Sequence, residues 1–511
     1  MPLCKPADLA ADATTGCAPV DDCAVGHHCD TAAKACLTDA PIAIVTAGGD
    51  HPNPTNPALV RHVLDAKKGT MRTWLVFQTD TCATATANKW TIANPAGLRA
   101  AIIDSVVAAP ADKATIALAP VPIVTLPTAL GWADSTKVCQ GYPVVARDPG
   151  NGTEAWLSWL EAAPGQTVSC LTAGGQGGLL RLGRLDAGAL PAGGIWTNVA
   201  GDANPLGTSA LCTSGDSFPP SFLTEAFGIL PLGGTDPLTE KLVSVRPSAT
   251  SLNANATVQQ VRIGDVLTNS TTSESFKTGP FPTIHPVLVD TLAATPSAER
   301  FFVIALNEKF QAGTTTHSVW ATALSETGVD SSPVEWSTGT TPASGSGTGD
   351  LKDITAVCGL DASVDSAGNV GVALVVRRAG KDAVLLVTRA SGSASGVVST
   401  IKEQASSDPG CAIGISAVRI AGRGAGDFVL EWLDTTGPTD ATKGGVYLTS
   451  SANNVPVQLA TLTAWDTDGS AAPLAWRGLG GLVTSSGGVV TTAIEGRSGT
   501  SRTIFVHSLK L

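Results

Sequence analysis

Charge is scarce in this chain of 511 residues: Asp, Glu, Lys and Arg together make up 15%, against about 25% in ordinary soluble domains. That excludes a solvated polyelectrolyte and a coiled coil. Lys and Arg number 32 against 43 Asp and Glu, a formal charge of −11. No Lys/Arg-rich run exists to form a phosphate-binding stripe, which argues against nucleic acid as a partner. Uninterrupted apolar runs are missing as well. The best stretch, residues 114–132, is uncharged but carries Pro120, Pro122 and Pro127, and prolines break a spanning helix, so no transmembrane segment is expected. Linear catalytic signatures are also absent. No serine sits in a G-x-S-x-G elbow, no H-E-x-x-H occurs, and no glycine-rich phosphate loop precedes a helix. Gly215-Asp216-Ser217 matches the nucleophile tripeptide of trypsin-like proteases, but Phe218-Pro219 follows where an oxyanion hole needs glycines.

Cysteine is present in unusual number, at 11. From Cys17 the spacing is C-x5-C-x5-C-x6-C through Cys23, Cys29 and Cys36, in a stretch too poor in apolar residues to build a core. Such a piece needs covalent staples. Structural zinc wants a C-x2-C pair, which is lacking; His27 and His28 beside Cys29 are adjacent and point apart, so disulfides are the better reading. The four cysteines allow three connectivities. Among the later cysteines, Cys358 and Cys411 occupy matching positions in neighbouring repeats, roughly 50 residues apart. They are the best candidate pair, two separate buried thiols being the alternative.

The segment GCAPVDDCAVGHHCDTAAKAC, residues 16–36, resembles the short EGF-like, Cys-rich modules that follow the signal or lipid anchor in surface proteins of Gram-negative bacteria. The resemblance implies a bacterial secreted or cell-surface protein, extracellular or on the outer surface, with Cys4 open to four readings: a lipid-bearing residue, a partner for a later cysteine, a free end, or an ordinary extra cysteine near a terminus. The first ten residues, MPLCKPADLA, contain no basic and apolar leader regions.

From Pro41 the chain reads as short β-branched runs between Gly, Asp, Asn and Ser clusters, an all-β signature. The clearest unit lies between Ile354 and Lys402, where AVCGLDASVD, NVGVALVVRR, DAVLLVTRA and GVVSTIK are four strand-like runs. Four consecutive antiparallel strands make one propeller blade. The pattern recurs from Cys411 to Leu462, from His285 to Thr338, from Ala226 to Leu267 and from Tyr142 to Leu185. It predicts a single β-propeller of about seven four-stranded blades spanning 41–511, behind a disulfide module at 1–40. The last unit shows only three runs, and PIAIVTAGG at 41–49 is a spare strand; pairing Ile42–Thr46 with Thr503–Ser508 closes the ring. Residues 186–221 are expected to form a long inserted loop, and Ser337–Gly349 a linker. Between 50 and 132, Asn56, Pro57, Val60, Val63, Leu64 and Gly69 fit a capped helix, the same letters also fit a hairpin in which LVRHVLD turns at Lys67-Lys-Gly into RTWLVFQ, and the all-β context favours the hairpin.

Candidate chemistry is thin. His51, His62, His285, His317 and His507 are scattered, and the last two fall inside strands. Asp50-His51 lies on a loop without a visible partner. Asp466-Thr-Asp468-Gly469 begins like a calcium loop, but Arg477 stands where a bidentate Glu is needed, which leaves a turn. Asp361 and Asp365 read as turn and strand-edge residues, and SVDSAGNV is a faint, aromatic-free likeness of the Asp-box turn of sialidases, in which Tyr142 or Tyr447 would have to serve as nucleophile. The 11 tryptophans against 2 tyrosines include Trp156, Trp159, Trp320, Trp336, Trp432, Trp465 and Trp476, read chiefly as packing between blades, with stacking on sugar rings as the functional alternative. No catalytic, metal or cofactor-binding residue is assigned. The expected role is a surface protein presenting face loops to a carbohydrate or protein ligand. The alternatives are a polysaccharide-acting hydrolase or lyase with carboxylates meeting at the central funnel, and a structural subunit of an extracellular assembly.

Overall fold

The computed structural model describes residues 27–30, 35–38, 42–46, 53–65, 70–79, 83–86, 89–92, 97–106, 115–122, 139–147, 154–162, 167–168, 179–186, 196–198, 228–231, 241–247, 258–265, 271–277, 287–290, 301–325, 328–329, 334–406, 410–411, 413–435, 445–461, 479–484, 488–498 and 501–511. Among these residues there is no helix. Strands are what the sequence dictates: β-branched runs favour extended backbone, and Gly or Asn at tight reversals supplies the positive φ the turns need, as at Gly368 (φ 80°) and Gly380 (φ 74°).

Among the described residues, seven sheets of four or five antiparallel strands form, each in chain order save the last, whose outer strand comes from residues 42–46. Sheet I holds Thr55–Asp65, Thr70–Gln78, Leu98–Val106 and Thr115–Pro122, and sheet II holds Cys139–Arg147, Glu154–Ala162, Leu179–Asp186 and Trp196–Asn198. Sheet III runs from Gly228–Pro231 through Lys241–Pro247 and Val258–Asp265 to Thr271–Lys277, and sheet IV is built on Val287–Asp290, Phe301–Gln311, Thr314–Ser325 and Val334–Pro342. Sheet V comprises Ile354–Val364, Val370–Arg378, Lys381–Arg389 and Val397–Ala405; sheet VI comprises Ile415–Gly424, Asp427–Asp434, Gly445–Ser450 and Val457–Thr461. Sheet VII takes Leu479–Thr484, Val489–Ser498 and Ser501–Lys510, and its outer strand is Ile42–Thr46, with Ile42 opposite Val506 and Thr46 opposite Thr503. The first strand of each sheet lies beside the first strand of the next, and Leu479–Thr484 lies beside Thr55–Asp65. This is β-propeller architecture.

The core is a series of layers between neighbouring sheets, which explains why the second strands are apolar without alternation. Val370, Val372, Leu374 and Val376 face sheet IV, whereas Ala373 and Val375 face sheet VI. Ile44 and Val45 pack with Leu59, Leu75, Phe77, Ile504 and Val506 between sheets VII and I.

The fold also departs from expectation. Thr167–Val168, in a run read as a blade strand, instead pairs with Lys89–Ile92. Both segments are inserted between the second and third strands of adjacent sheets. The fourth strand of sheet II is Trp196–Asn198, within the 186–221 segment, of which residues 187–195 and 199–221 lie outside the described residues. Ser337–Gly349 is not a linker: Val334–Pro342 pairs with Thr314–Ser325, and the chain then folds back so that Thr340 N–H donates to Thr348 O at 2.9 Å. A Cβ on Gly339 would stand 2.0 Å from the Leu351 carbonyl carbon, so the low-complexity composition serves close backbone packing. The Asp50–Trp132 region contains the hairpin, with Val63 opposite Met71.

Candidate functional site

The described positions of the candidate residues separate packing from chemistry. Trp74, Trp336 and Trp432 are enclosed in the layers between sheets, and Trp432 stacks on Tyr447 at 5.6 Å between ring centroids. His317 and His507 are buried within their strands. Asp365 is a turn residue: its carboxylate accepts from Ala367 N, Asn369 N, Asn369 Nδ2 and Gly426 N. Burial opposes its ionisation, but these bonds win and hold its carboxyl below the usual range. Cys29 stands opposite Cys36 in the hairpin of His27–Asp30 and Ala35–Thr38. Cys358 and Cys411 form a disulfide across 53 residues, with Cα atoms 5.2 Å apart. Cys4, Cys17, Cys23, His51, His285, Gly215–Ser217, Trp465, Asp466, Asp468 and Trp476 lie outside the described residues.

The disulfide belongs to a clamp on the crossover from sheet V to sheet VI. Arg377 donates to the carbonyls of Gly410, Ile413 and Ile415 at 2.8, 2.7 and 2.9 Å, and pairs with buried Asp382 at 3.0 Å. This clamp sets the position of the first strand of sheet VI.

That strand, Ile415–Gly424, is held along its edge by side chains of Ile354–Val364. Asp361 Oδ2 accepts from Ile420 N at 3.0 Å, and Ser363 Oγ accepts from Gly422 N at 3.1 Å. Gly422 is required there, because a Cβ would stand 1.9 Å from the Val364 carbonyl oxygen. The edge N–H groups of an innermost strand are thus satisfied without further strand pairing.

Between these anchors stands Arg419, on an innermost strand and only half-buried. Its one hydrogen bond among the described residues runs from Nη1 to the carbonyl of Val418, at 3.2 Å, although a guanidinium has five N–H donors. Two carboxyls flank it, Asp361 from sheet V and Glu431, which lies directly opposite Arg419 on the next strand. Glu431 is fully enclosed. Its Oε1 accepts from Thr492 Oγ1 of sheet VII at 2.6 Å, and its Oε2 has no hydrogen-bond partner.

Burial pushes the Glu431 carboxyl up to about 8, against the opposing influence of the Thr492 hydroxyl and Arg419. Burial also raises Asp361, with Arg419 and the Ile420 N–H acting the other way. The arrangement therefore offers, on innermost strands, a half-buried guanidinium with open donors beside a carboxyl that burial makes hold its proton more strongly than usual. Perturbed acids around a cation are a recurrent feature of functional sites. Sequence reading passed over Arg419 and Glu431; the available signal was a lone Glu inside the apolar run FVLEWL.

The chain matches no protein-family model and no curated protein sequence. Solved structures with an overall likeness include polysaccharide lyase Uly1, at 10% identity over 84% of this chain and 89% of that chain, with a TM-score of 0.35. The NanB sialidase of Streptococcus pneumoniae has 10% identity over 93% of this chain and 71% of its own, with a TM-score of 0.34. The β-propeller domain of the Trilobed protease from Pyrococcus furiosus has 8% identity over 92% and 94%, with a TM-score of 0.34. Likenesses of this size transfer no residue roles.

Proposed function

We propose that the protein is an exported, seven-bladed β-propeller that acts on a polysaccharide at the inner wall of sheets V and VI. Seven blades and a closed ring are supported by the seven meander sheets, by the succession of neighbouring first strands back to sheet I, and by the outer strand that Ile42–Thr46 supplies to sheet VII. Export is supported by the Cys358–Cys411 disulfide, since such bonds persist in oxidising compartments, and the N-terminal cysteines fit a small surface module.

The observation that carries the polysaccharide reading is Arg419, with a single hydrogen bond among the described residues, beside Asp361. Open guanidinium donors bind the vicinal hydroxyls or the carboxylate of a sugar in forked geometry. A neighbouring carboxyl with a raised proton affinity suits protonation of a glycosidic oxygen. Arg419 and Asp361 are the contacting residues in this reading.

Binding without cleavage is the second reading, and the enclosure of Glu431 favours it, because a second acid that reaches no solvent reaches no substrate. The test is to incubate the protein with soluble neutral and uronate-bearing polysaccharides while following new reducing ends, unsaturated products absorbing in the ultraviolet, and heat of binding. New ends or unsaturation establish an enzyme. Heat alone establishes a binding protein, and no signal with any polysaccharide overturns both readings.

A further inference from the structure

We propose that the site at Arg419 is gated by a proton on Glu431: with this carboxyl neutral the guanidinium is open to ligand, and with it ionised the two side chains close into an ion pair and the ligand is released. The inference rests on the polysaccharide reading and adds its regulation.

Register carries the argument. Arg419 and Glu431 are directly opposite in an antiparallel pair, with no register shift between Ala417 and Gly422. Opposed residues share one face of the sheet, with Cβ atoms about 4.5–5.5 Å apart, so both side chains are long enough to meet. They form no ion pair in the structure. Glu431 turns instead towards sheet VII and the Thr492 hydroxyl. Its surroundings in that layer are Val429, Leu433, Leu448, Val490, Ile494 and Leu509, which give a charged carboxylate nothing and a neutral carboxyl little to lose.

An ionised Glu431 cannot stay as it is. One hydroxyl does not satisfy a carboxylate whose second oxygen is buried without a partner, and an uncompensated buried charge is costly. The charged groups facing it are few. From its own sheet these are Arg419, opposite, and Arg423 further along, which is already paired with Asp427 at 2.6 Å; Leu448 on the third strand carries no charge. From sheet VII, Thr492 is opposite His507 on the neighbouring strand. Beyond Arg419 lies Asp361, already engaged by Ile420 N–H. Among the described residues, Arg419 is the one cation facing Glu431 that forms no ion pair, so the cost of ionisation is met by withdrawing it from the wall. Burial places this event near pH 8, within reach of mildly alkaline surroundings.

The test uses the full chain, polygalacturonate as the probe and calorimetric titration from pH 6 to pH 9.5, with wild type and Glu431→Gln side by side. Wild-type affinity is expected to hold to about pH 7 and then to fall towards tenfold per pH unit, the limit for one linked proton; Glu431→Gln stays flat. In parallel, the ligand-free thermal midpoint of each protein is followed from pH 5 to pH 9. Glu431→Gln should gain on wild type up to about pH 8 and then keep a constant lead. Equal pH dependence of binding in the two proteins, or a midpoint difference that ignores pH, overturns the gate alone. Failure of wild type to bind polygalacturonate at any pH, while the midpoint difference follows pH as expected, overturns the gate at a uronate-binding Arg419 and leaves the titration of Glu431 standing; the polysaccharide reading itself falls only if the neutral polysaccharides fail as well.

Discussion

Sheet VII meets its two neighbours through seams of opposite character, although each contains a buried glutamate whose proton affinity is raised by burial. On the sheet I side, Glu495 accepts from Thr55 Oγ1 at 2.8 Å, Asn56 N at 3.3 Å and Arg502 Nη1 at 2.9 Å. Arg502 in turn donates to Thr55. Close by, Arg61 is buried with hydrogen bonds to the Val489 carbonyl and the Thr491 hydroxyl, and burial lowers it to about 10. On the sheet VI side, Glu431 has one hydroxyl and an oxygen with none. The comparison teaches that burial alone does not define a role for a carboxyl. A networked glutamate fastens a seam, whereas a solitary one leaves a neighbouring cation available and stores sensitivity to pH.

Substituting the two glutamates separates these roles. Glu431 has its folded proton affinity above the unfolded value of about 4.3, so the unfolded state loses its proton first as pH rises. Stability from this group is therefore fully present below about pH 4, is lost progressively between there and about pH 8, and changes no further above. Glu431→Gln removes that loss, and is expected to gain on wild type by about 1.4 kcal/mol per pH unit within the window; chemical denaturation at pH 5, 6.5 and 8 checks it. A constant difference would break the contrast between the seams.

Glu495→Gln has the opposite sign. It takes an acceptor from Arg502, Thr55 and Asn56 and replaces it with a donor, so a loss of about 2 kcal/mol is expected at neutral pH, read from the same denaturation curves. Thr492→Val is the smallest change. It removes the one hydrogen bond to the Glu431 carboxyl found among the described residues while keeping volume, at a cost of about 1 kcal/mol at pH 6. A cost above that of Glu495→Gln would mean that the sheet VI seam is the fastened one.

Much of the architecture was legible from local pattern. In sheets V and VI the apolar runs and the Gly, Asn and Asp reversals fall where the strands and turns lie, because both faces of those strands are buried and leave an unmistakable hydrophobic trace. Strands without that trace were missed: Thr271–Lys277 reads TTSESFK, and Trp196–Asn198 sits among Gly and Pro. The Ser/Thr/Gly stretch after Ser337 misled, because glycine marks close backbone approach as well as freedom. Of the site, Asp361 was noticed as a strand-edge residue, which it is through Ile420 N–H, but its relation to Arg419 was hidden. Arg419 and Glu431 are brought together by strand register, and Thr492 arrives from another sheet 61 residues away. No linear motif encodes such a meeting.

The central claim is that Arg419 is the ligand-binding group of the inner wall. Calorimetric titration of polysaccharide into wild type and Arg419→Met at pH 6.5 tests it most directly, with circular dichroism to verify that the sheets are intact. A fall in affinity of tenfold or more in the folded variant is predicted, and undiminished binding by that variant would contradict the account.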